Sequence, residues 1–241
     1  MTAVVAGAGI SGIETAAELA HAMRAYATAQ RVDPAEARVV LVNAAERLFP
    51  EGPARVGRKL ERLLAEGGVH VRHRAKALRA EAEAVVLSDG SRLPAGLCVW
   101  TLGLRPNPMA ANFGLPHTPE GQLRIDASYR VLGAQGIYSI GDCARVVDPA
   151  TGAADRMTCK EAGAQASRLA KVILADMDGA PAPVHRGYLE TYCFGLGPDR
   201  GIVWVRQWGL DIVIGGRLGK KIRQYTWDIA SLMNTQEASE G

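Results

Sequence analysis

The chain begins with a glycine-rich turn between an apolar run and a long helix-compatible run. In the sequence VVAGAGISGIETAAELA, the glycines are Gly7, Gly9 and Gly12, with a predicted strand over 3–6 and a predicted helix over 11–29. In this strand-turn-helix context, the spacing G-x-G-x-x-G is typical of a dinucleotide-binding turn. Gly7 would permit the tight turn, Gly9 would let backbone N–H groups approach a pyrophosphate, and Gly12 would let helix and strand pack closely. The alternative is a glycine-rich turn without a ligand.

Composition is typical of a soluble globular protein. Hydrophobic residues make up 48% of the 241 positions, charged residues make up 22%, and the net charge is +3. This charge is too small to indicate nucleic-acid binding. No apolar run reaches the roughly 18 residues of a membrane span, and the N-terminus lacks the pattern of a signal peptide. We therefore expect a cytoplasmic protein, with a peripheral position on the cytoplasmic membrane as the alternative.

No metal site is predicted. His70 and His73 lie an odd number of positions apart on a predicted strand, so their side chains point to opposite faces and cannot share a metal ion. No C-x-x-C spacing joins the cysteines, which are Cys98, Cys143, Cys159 and Cys193. Reduced thiols are therefore the expectation.

The pattern of apolar runs predicts three segments. Residues 1–108 alternate strands and helices, with strands over 38–43, 69–73 and 97–103, a helix over 53–65 and a hairpin turn at Asp89-Gly90. Residues 109–183 contain a short strand over 136–140, the turn Gly141-Asp142 and a helix over 159–175. For residues 184–241, the sequence pattern predicts a β meander and then a basic helix from about Gly219 to Met233.

Motifs along most of the chain resemble the pyridine-nucleotide-dependent flavin oxidoreductase superfamily, and within it the type II NADH dehydrogenase-like branch. They are GAGISGIETAAELA, RVVLVNAAERLFP, GGVHV, LSDGSRLPAGLCVWTLGLRPNP, GQLRIDASYRV, GIYSIGDCA and MTCKEAGAQASRLA. The resemblance implies an α/β fold: a Rossmann-like NAD(P)H-binding domain, then the C-terminal half of an FAD-binding domain, then a small β-rich and helical segment. It also implies that the N-terminal FAD-binding half is missing, so that the FAD site is incomplete.

The resemblance assigns the N-terminal turn to the nicotinamide nucleotide and not to FAD. An FAD site of this superfamily expects an acidic residue where the second strand ends in Asn43, and Glu14 lies where the resemblance places a glutamate near nicotinamide and flavin. Asn43 also departs from the NADH pattern, since a neutral amide neither repels a 2′-phosphate nor holds both ribose hydroxyls as a carboxylate does. Arg47 could pair with a 2′-phosphate, or be a solvated loop residue. The choice between NADH and NADPH stays open, with NADH favoured.

Further cofactor-binding residues are implied by the resemblance. The Asp142 carboxylate would accept hydrogen bonds from the FAD ribityl chain, and Gly141 would let the backbone pass close to the cofactor. The N-terminus of the following helix, over 161–165, would lie beside the pyrimidine edge of the flavin. The complete set of predicted cofactor-binding residues is Gly7, Gly9, Ile10, Ser11, Gly12, Glu14, Asn43, Gly103, Leu104, Gly141, Asp142, Ala164 and Gln165.

The function implied is an FAD-dependent NAD(P)H oxidoreductase. Hydride would pass from nicotinamide to flavin and electrons on to a quinone or another acceptor, with no side chain needed as acid or base. The alternative is a truncated or degenerate nucleotide-binding module or subunit without turnover of its own. We also expect self-association, or a partner that supplies the N-terminal FAD-binding segment.

Overall fold

The computed structural model describes residues 1–231, and the predicted helix end at Met233 and the polar tail lie outside them. The helices are α1 (Ile10–Ala29), α2 (Ala54–Glu66), α3 (Cys159–Met177) and α4 (Gly216–Ser231). The strands are β1 (Thr2–Ala6), β2 (Arg38–Val42), β3 (Val69–Arg72), β4 (Ala77–Ala80), β5 (Ala84–Leu87), β6 (Arg92–Pro94), β7 (Leu97–Trp100), β8 (Leu123–Arg124), β9 (Ala144–Arg145), β10 (Glu190–Gly195), β11 (Gly201–Gln207) and β12 (Leu210–Gly215).

The described residues form two compact units. The first unit consists of Met1–Gly103 and Glu190–Ile229, and the second of Leu104–Leu189. The division predicted from sequence set boundaries at 108 and 183 and treated the C-terminal residues as a separate segment. Here the part of that segment from Glu190 to Ile229 packs within the first unit, because its sheet has an apolar face to bury.

A parallel sheet of order β3-β2-β1-β7 forms the centre of the first unit. Val4 pairs with Val40 on one side and with Cys98 on the other, so β1 is an internal strand. Its residues Ala3–Ala6 are fully buried, as expected for a parallel strand covered on both faces. This arrangement confirms the predicted α/β class with a Rossmann-like sheet. Strands β4, β5 and β6 form a separate antiparallel sheet whose last turn includes Asp89 and Gly90.

The C-terminal strands form the predicted antiparallel meander, in the order β10-β11-β12. Phe194 and Trp204 from this sheet are buried in one core with Ile13 of α1 and Leu60 of α2. Phe49 joins them, since its ring centroid lies 5.3 Å from those of both Phe194 and Trp204 at T-shaped angles. Aromatic pairs of this geometry stabilise a core beyond their buried area. The meander thereby shares one hydrophobic core with α1, α2 and the parallel sheet.

The strand predicted over 136–140 in the second unit is wrong. Tyr138 makes only an isolated bridge to Arg130, and Ser139 N donates to Tyr129 O at 3.0 Å. A parallel strand needs neighbours along its length, and the described residues of this unit offer this segment a loop instead. The helix predicted to follow it is present as α3. None of the helices within residues 1–231 is long and apolar enough to span a membrane.

Candidate functional site

The glycine-rich turn has the geometry that its spacing predicts. Gly7 has φ +108°, and a Cβ there would lie 2.3 Å from the carbonyl oxygen of Thr101. A Cβ on Gly12 would lie 1.9 Å from the carbonyl oxygen of Gly7. Both positions therefore exclude any side chain, since α1 packs directly onto the turn after β1. Gly9 is different, because a Cβ there would have no atom within 4 Å.

The N-terminus of α1 is open on the side of Gly9. Gly9 is the N-cap residue, no side chain caps the helix, and its first turn carries no acidic residue. Ile10 is half-buried and Ser11 is exposed at this end. The first N–H groups of a helix have no partners within the helix and carry the positive end of its dipole. This end of α1 can therefore accept an anion such as a pyrophosphate.

Thr101, just after β7, supports the turn and is a residue that the sequence analysis missed. Its Oγ1 lies 3.1 Å from the carbonyl oxygen of Ala6 and 2.9 Å from that of Gly7, and it donates to this pair. Its backbone N–H donates to Ala6 O at 2.8 Å. These bonds hold the carboxyl ends of β1 and β7 together. A hydroxyl residue at the end of an apolar strand was the only available sequence signal.

Glu14 is held by two groups from the C-terminal part of the first unit. Its carboxylate accepts from Gly195 N at 2.6 Å and from Arg223 of α4, with Nε at 2.5 Å and Nη2 at 2.7 Å. The two charged side chains are 19% and 16% exposed, for Glu14 and Arg223 respectively. Such a two-point arginine–carboxylate pair fixes both orientation and charge. Arg223, a second residue that the sequence analysis missed, thus links α4 to the helix of the glycine-rich turn.

Asn43, at the end of β2, turns its side chain into its own loop. The residue is 7% exposed, and its amide nitrogen lies within hydrogen-bond distance of Ala45 O, Arg47 O and His73 Nδ1. Its oxygen accepts from Ala45 N at 3.2 Å. The Arg47 guanidinium likewise donates to loop carbonyl oxygens, at 2.8 Å for Phe49. In this geometry both polar side chains bind groups of their own loop.

Gly103 and Leu104, which follow β7, are both exposed. Leu104 is 62% exposed, and Leu102 before it is 68% exposed. These positions are accessible to a ligand.

The second unit brings together Gly141, Asp142 and the first turns of α3. Gly141 has φ +66° and its N–H donates to Gln165 Oε1 at 2.6 Å. The next residue, Asp142, is exposed within a 3₁₀ turn over Gly141–Cys143. Ala164 is half-buried and Gln165 is buried. The exposed carboxylate of Asp142 can accept from ligand hydroxyls, whereas Gln165 is occupied within the protein.

A carboxylate of α3 itself, that of Glu161, lies at the N-terminus of this helix. Thr158 is the N-cap, and a capping box joins it to Glu161: the Thr158 side chain accepts from Glu161 N, and Glu161 Oε2 accepts from Thr158 N at 3.0 Å. Glu161 Oε2 also accepts from Arg156 N at 3.0 Å. A capping box satisfies first-turn donors and places negative charge at the dipole. This end of α3 is therefore less favourable for an anionic ligand than the open end of α1.

Comparison with known proteins shows similarity to one protein family. The sequence profile of the pyridine nucleotide-disulphide oxidoreductase family matches residues 1–166. An NADH dehydrogenase-like protein of Mycobacterium tuberculosis is 32% identical over 143 residues, which are 59% of this chain and 35% of that protein. Demethylphylloquinone reductase of Synechocystis is 27% identical over 215 residues, which are 88% of this chain and 50% of that protein.

A solved structure shares the fold. The structure of NDH2 from Plasmodium falciparum in complex with NADH matches with a TM-score of 0.78 at 13% identity, covering 94% of this chain and 61% of that one. The chain thus spans about a third to a half of the length of the two curated relatives it matches.

Proposed function

This chain belongs to the pyridine nucleotide-disulphide oxidoreductase family, an enzyme family, and on that premise we propose that it takes part in FAD-dependent NAD(P)H oxidation. The proposed reaction is that of an NADH dehydrogenase-like enzyme, in which a bound flavin would accept hydride from a nicotinamide and would supply electrons to a quinone. The M. tuberculosis relative, named as NADH dehydrogenase-like, supports this assignment.

The observation that carries the proposal is the open N-terminus of α1 at Gly9. Uncapped first-turn N–H groups, no acidic residue and free space around Gly9 form a complete cradle for a pyrophosphate. Gly9, Ile10 and Ser11 would supply this cradle, with Gly7 and Gly12 fixing its shape. The residues present therefore fit a dinucleotide.

The second unit fits the flavin in part. When bound, FAD would supply the hydride acceptor and the electron donor to the quinone. The exposed Asp142 carboxylate would accept hydrogen bonds from ribityl hydroxyls, and Gly141, which lacks a side chain, would let the ribityl group approach the backbone closely. Glu14, with its charge balanced by Arg223, would lie at the nicotinamide end of the nucleotide site. In this scheme the protein aligns the cofactors, and the hydride transfer itself would need no side chain as acid or base.

A quinone acceptor is supported by the Synechocystis relative, which is named as a demethylphylloquinone reductase. Quinones partition into membranes, and α4 exposes an apolar stripe that could contact one, formed by Leu218, Tyr225 and Ile229. The exposed cations Arg217 and Lys221 accompany this stripe. Such a helix suits peripheral attachment to an anionic bilayer, which we propose for this protein.

A second candidate function is a nucleotide-binding module without turnover of its own. The capping box at α3 favours it, because Glu161 already places a carboxylate where negative charge on a reduced flavin would otherwise be stabilised. In this case NADH would bind at α1, and no flavin chemistry would follow from the chain by itself.

One set of measurements distinguishes these functions. The purified chain is titrated with NADH by calorimetry, then with FAD by quenching of flavin fluorescence, and is finally assayed for NADH oxidation with a water-soluble quinone. Saturable NADH binding below about 1 mM is expected, within the usual range of enzyme substrates. FAD binding with turnover supports the oxidoreductase. NADH binding without FAD binding or turnover supports the module, and a folded chain that does not bind NADH contradicts both.

A further inference from the structure

A buried polar chain lies behind the Gly141-Asp142 turn in the second unit. Gln165 on α3 is 2% exposed, and both ends of its amide are used. Its Oε1 accepts from Gly141 N at 2.6 Å, and its Nε2 donates to Asp155 Oδ2 at 2.7 Å. The side chain of Asp155 is 9% exposed. Gln165 therefore cannot rotate without leaving a buried donor or acceptor unsatisfied.

The row of hydrogen-bonded side chains continues from Asp155 into the core of the unit. Asp155 Oδ1 lies 3.3 Å from His185 Nε2, and His185 Nδ1 lies 2.9 Å from the hydroxyl of Tyr129. Arg168 Nη1 donates to the same hydroxyl at 2.9 Å. The residues Tyr129 and His185 are almost completely buried, at 0% and 2% exposure.

One assignment of protons gives every donor and acceptor in this row of hydrogen-bonded side chains a partner. Arg168 can only donate, so Tyr129 accepts from it and donates its own proton to His185 Nδ1. Burial raises the pKa of Tyr129, which keeps this proton on the hydroxyl. His185 is then the neutral tautomer with a proton on Nε2, which donates to Asp155. Asp155 accepts from both His185 and Gln165, as an ionised carboxylate does. The donors thus run in one direction from Arg168 to Asp155.

This direction orients the turn. Because Asp155 accepts from Gln165 Nε2, the amide oxygen of Gln165 must face Gly141 and not the reverse. The peptide N–H of Gly141 is then held toward α3 while its backbone keeps φ at +66°. The carboxylate of Asp142, one residue on, is left exposed.

We propose that Gln165 is a positioning residue of the Gly141-Asp142 turn, and that Asp155 and His185 set the orientation of its amide. As part of the flavin site this role rests on the proposed function. Gln165 then acts on the cofactor through Gly141 and does not itself contact it.

The test follows the Gly141 amide in the full ¹⁵N-labelled chain. Asp155→Ala removes the acceptor of Gln165, and Asp155→Asn keeps the shape and one acceptor oxygen but not the charge. We expect the Gly141 amide resonance to shift in both variants. Loss of one hydrogen bond corresponds to a rise in hydrogen exchange of about tenfold for Asp155→Ala, with a smaller rise for Asp155→Asn. Asp178→Asn, an exposed carboxylate at the far end of α3, is the matched control and should leave Gly141 unchanged.

Two results would overturn the proposal. One is a folded Asp155→Asn protein in which neither the resonance nor the exchange of Gly141 changes. The other is a rise in exchange that is equal along the whole of α3, which shows general loss of stability. Where Asp155→Ala does not fold, Asp155→Asn decides.

The flavin is tested separately by FAD titration of the same proteins. With FAD binding in the wild type, Asp155→Asn should weaken it severalfold and Asp178→Asn should not, whereas equal affinities contradict the positioning role. If the wild type does not bind FAD, the flavin part of the proposed function fails, and the Gly141 amide alone decides whether Gln165 positions the turn.

Discussion

Replacing the glycines of the N-terminal turn one at a time separates binding from folding. Gly9→Ala should leave the fold nearly unchanged. The added Cβ meets no atom within 4 Å, and the backbone of Gly9 (φ −69°, ψ −177°) is one that alanine readily adopts. Lower entropy of the unfolded chain stabilises by about 0.4–1 kcal/mol, and loss of a glycine N-cap opposes this by a similar amount. The net change in unfolding free energy should lie within about 1 kcal/mol.

Gly12→Ala should behave in the opposite way. Its Cβ would lie 1.9 Å from Gly7 O and 2.7 Å from Thr101 Oγ1, both too close for any contact. Since two of the nearest atoms belong to the Gly7 backbone, α1 must move away from β1. Forced overpacking of this kind typically costs about 1–3 kcal/mol. A loss of stability in this range is expected, with weaker NADH binding as a consequence.

The assays are urea denaturation followed by circular dichroism, and NADH titration by calorimetry. For Gly9→Ala we expect wild-type stability with at least about tenfold weaker binding, or about 1.4 kcal/mol, because the methyl group keeps the pyrophosphate from the helix N-terminus. Gly163→Ala is the control: it adds a methyl in open space on α3 and should stabilise by up to about 1 kcal/mol without affecting NADH. Wild-type NADH affinity in folded Gly9→Ala would refute the proposed nucleotide site.

Three further predictions concern polar contacts. Asn43→Asp removes the donor to Ala45 O and Arg47 O, so urea denaturation should show about 1–3 kcal/mol of lost stability; an altered NADH-to-NADPH preference at unchanged stability would instead mean that residue 43 faces the ribose. Arg223→Gln should destabilise the first unit by about 1–3 kcal/mol. A double-mutant cycle with Glu14→Gln should give a coupling energy above about 0.5 kcal/mol, whereas additive effects of the two substitutions would argue against the ion pair. Hydrogen bonds from Arg130 and Tyr138 lower the pKa of Asp176 from 3.8 to about 2. The ionised Asp176 therefore contributes fully to stability above pH 3.8, and this contribution is lost as the pH falls toward 2. In Asp176→Asn, stability should no longer fall over this pH range for this reason, and an acid transition identical to that of the wild type would contradict the prediction.

The first hundred or so residues were largely predictable, since their signals are local. Apolar runs gave β1 and β2, and the predicted helix over 53–65 matches α2, which has a buried face at Val56, Leu60 and Leu64. The roles of Gly7, Gly9 and Gly12 follow from covalent geometry, so a single sequence was enough to predict their different surroundings.

What the sequence did not predict depends on partners that lie outside the run of residues itself. The run GIYSI has the composition of a buried strand, but a strand forms only where a neighbouring backbone runs beside it. The side chain of Asn43, for which the resemblance predicts a place at the nucleotide ribose, binds carbonyl oxygens of the loop that follows β2, and periodicity carries no information about such a loop.

Glu14 and Arg223 show how a distant contact changes the chemistry of a site. The pair joins positions 209 residues apart, and it forms because α4 approaches the meander closely at glycines: a Cβ on Gly219 would lie 2.5 Å from Gly201 O. A free carboxylate in the second turn of α1 would weaken the positive potential offered to a pyrophosphate. With Arg223 held against it at 2.5 and 2.7 Å, the net charge there is close to zero. The C-terminal helix thus preserves the anion-binding character of the α1 N-terminus, which no inspection of the glycine motif alone could reveal.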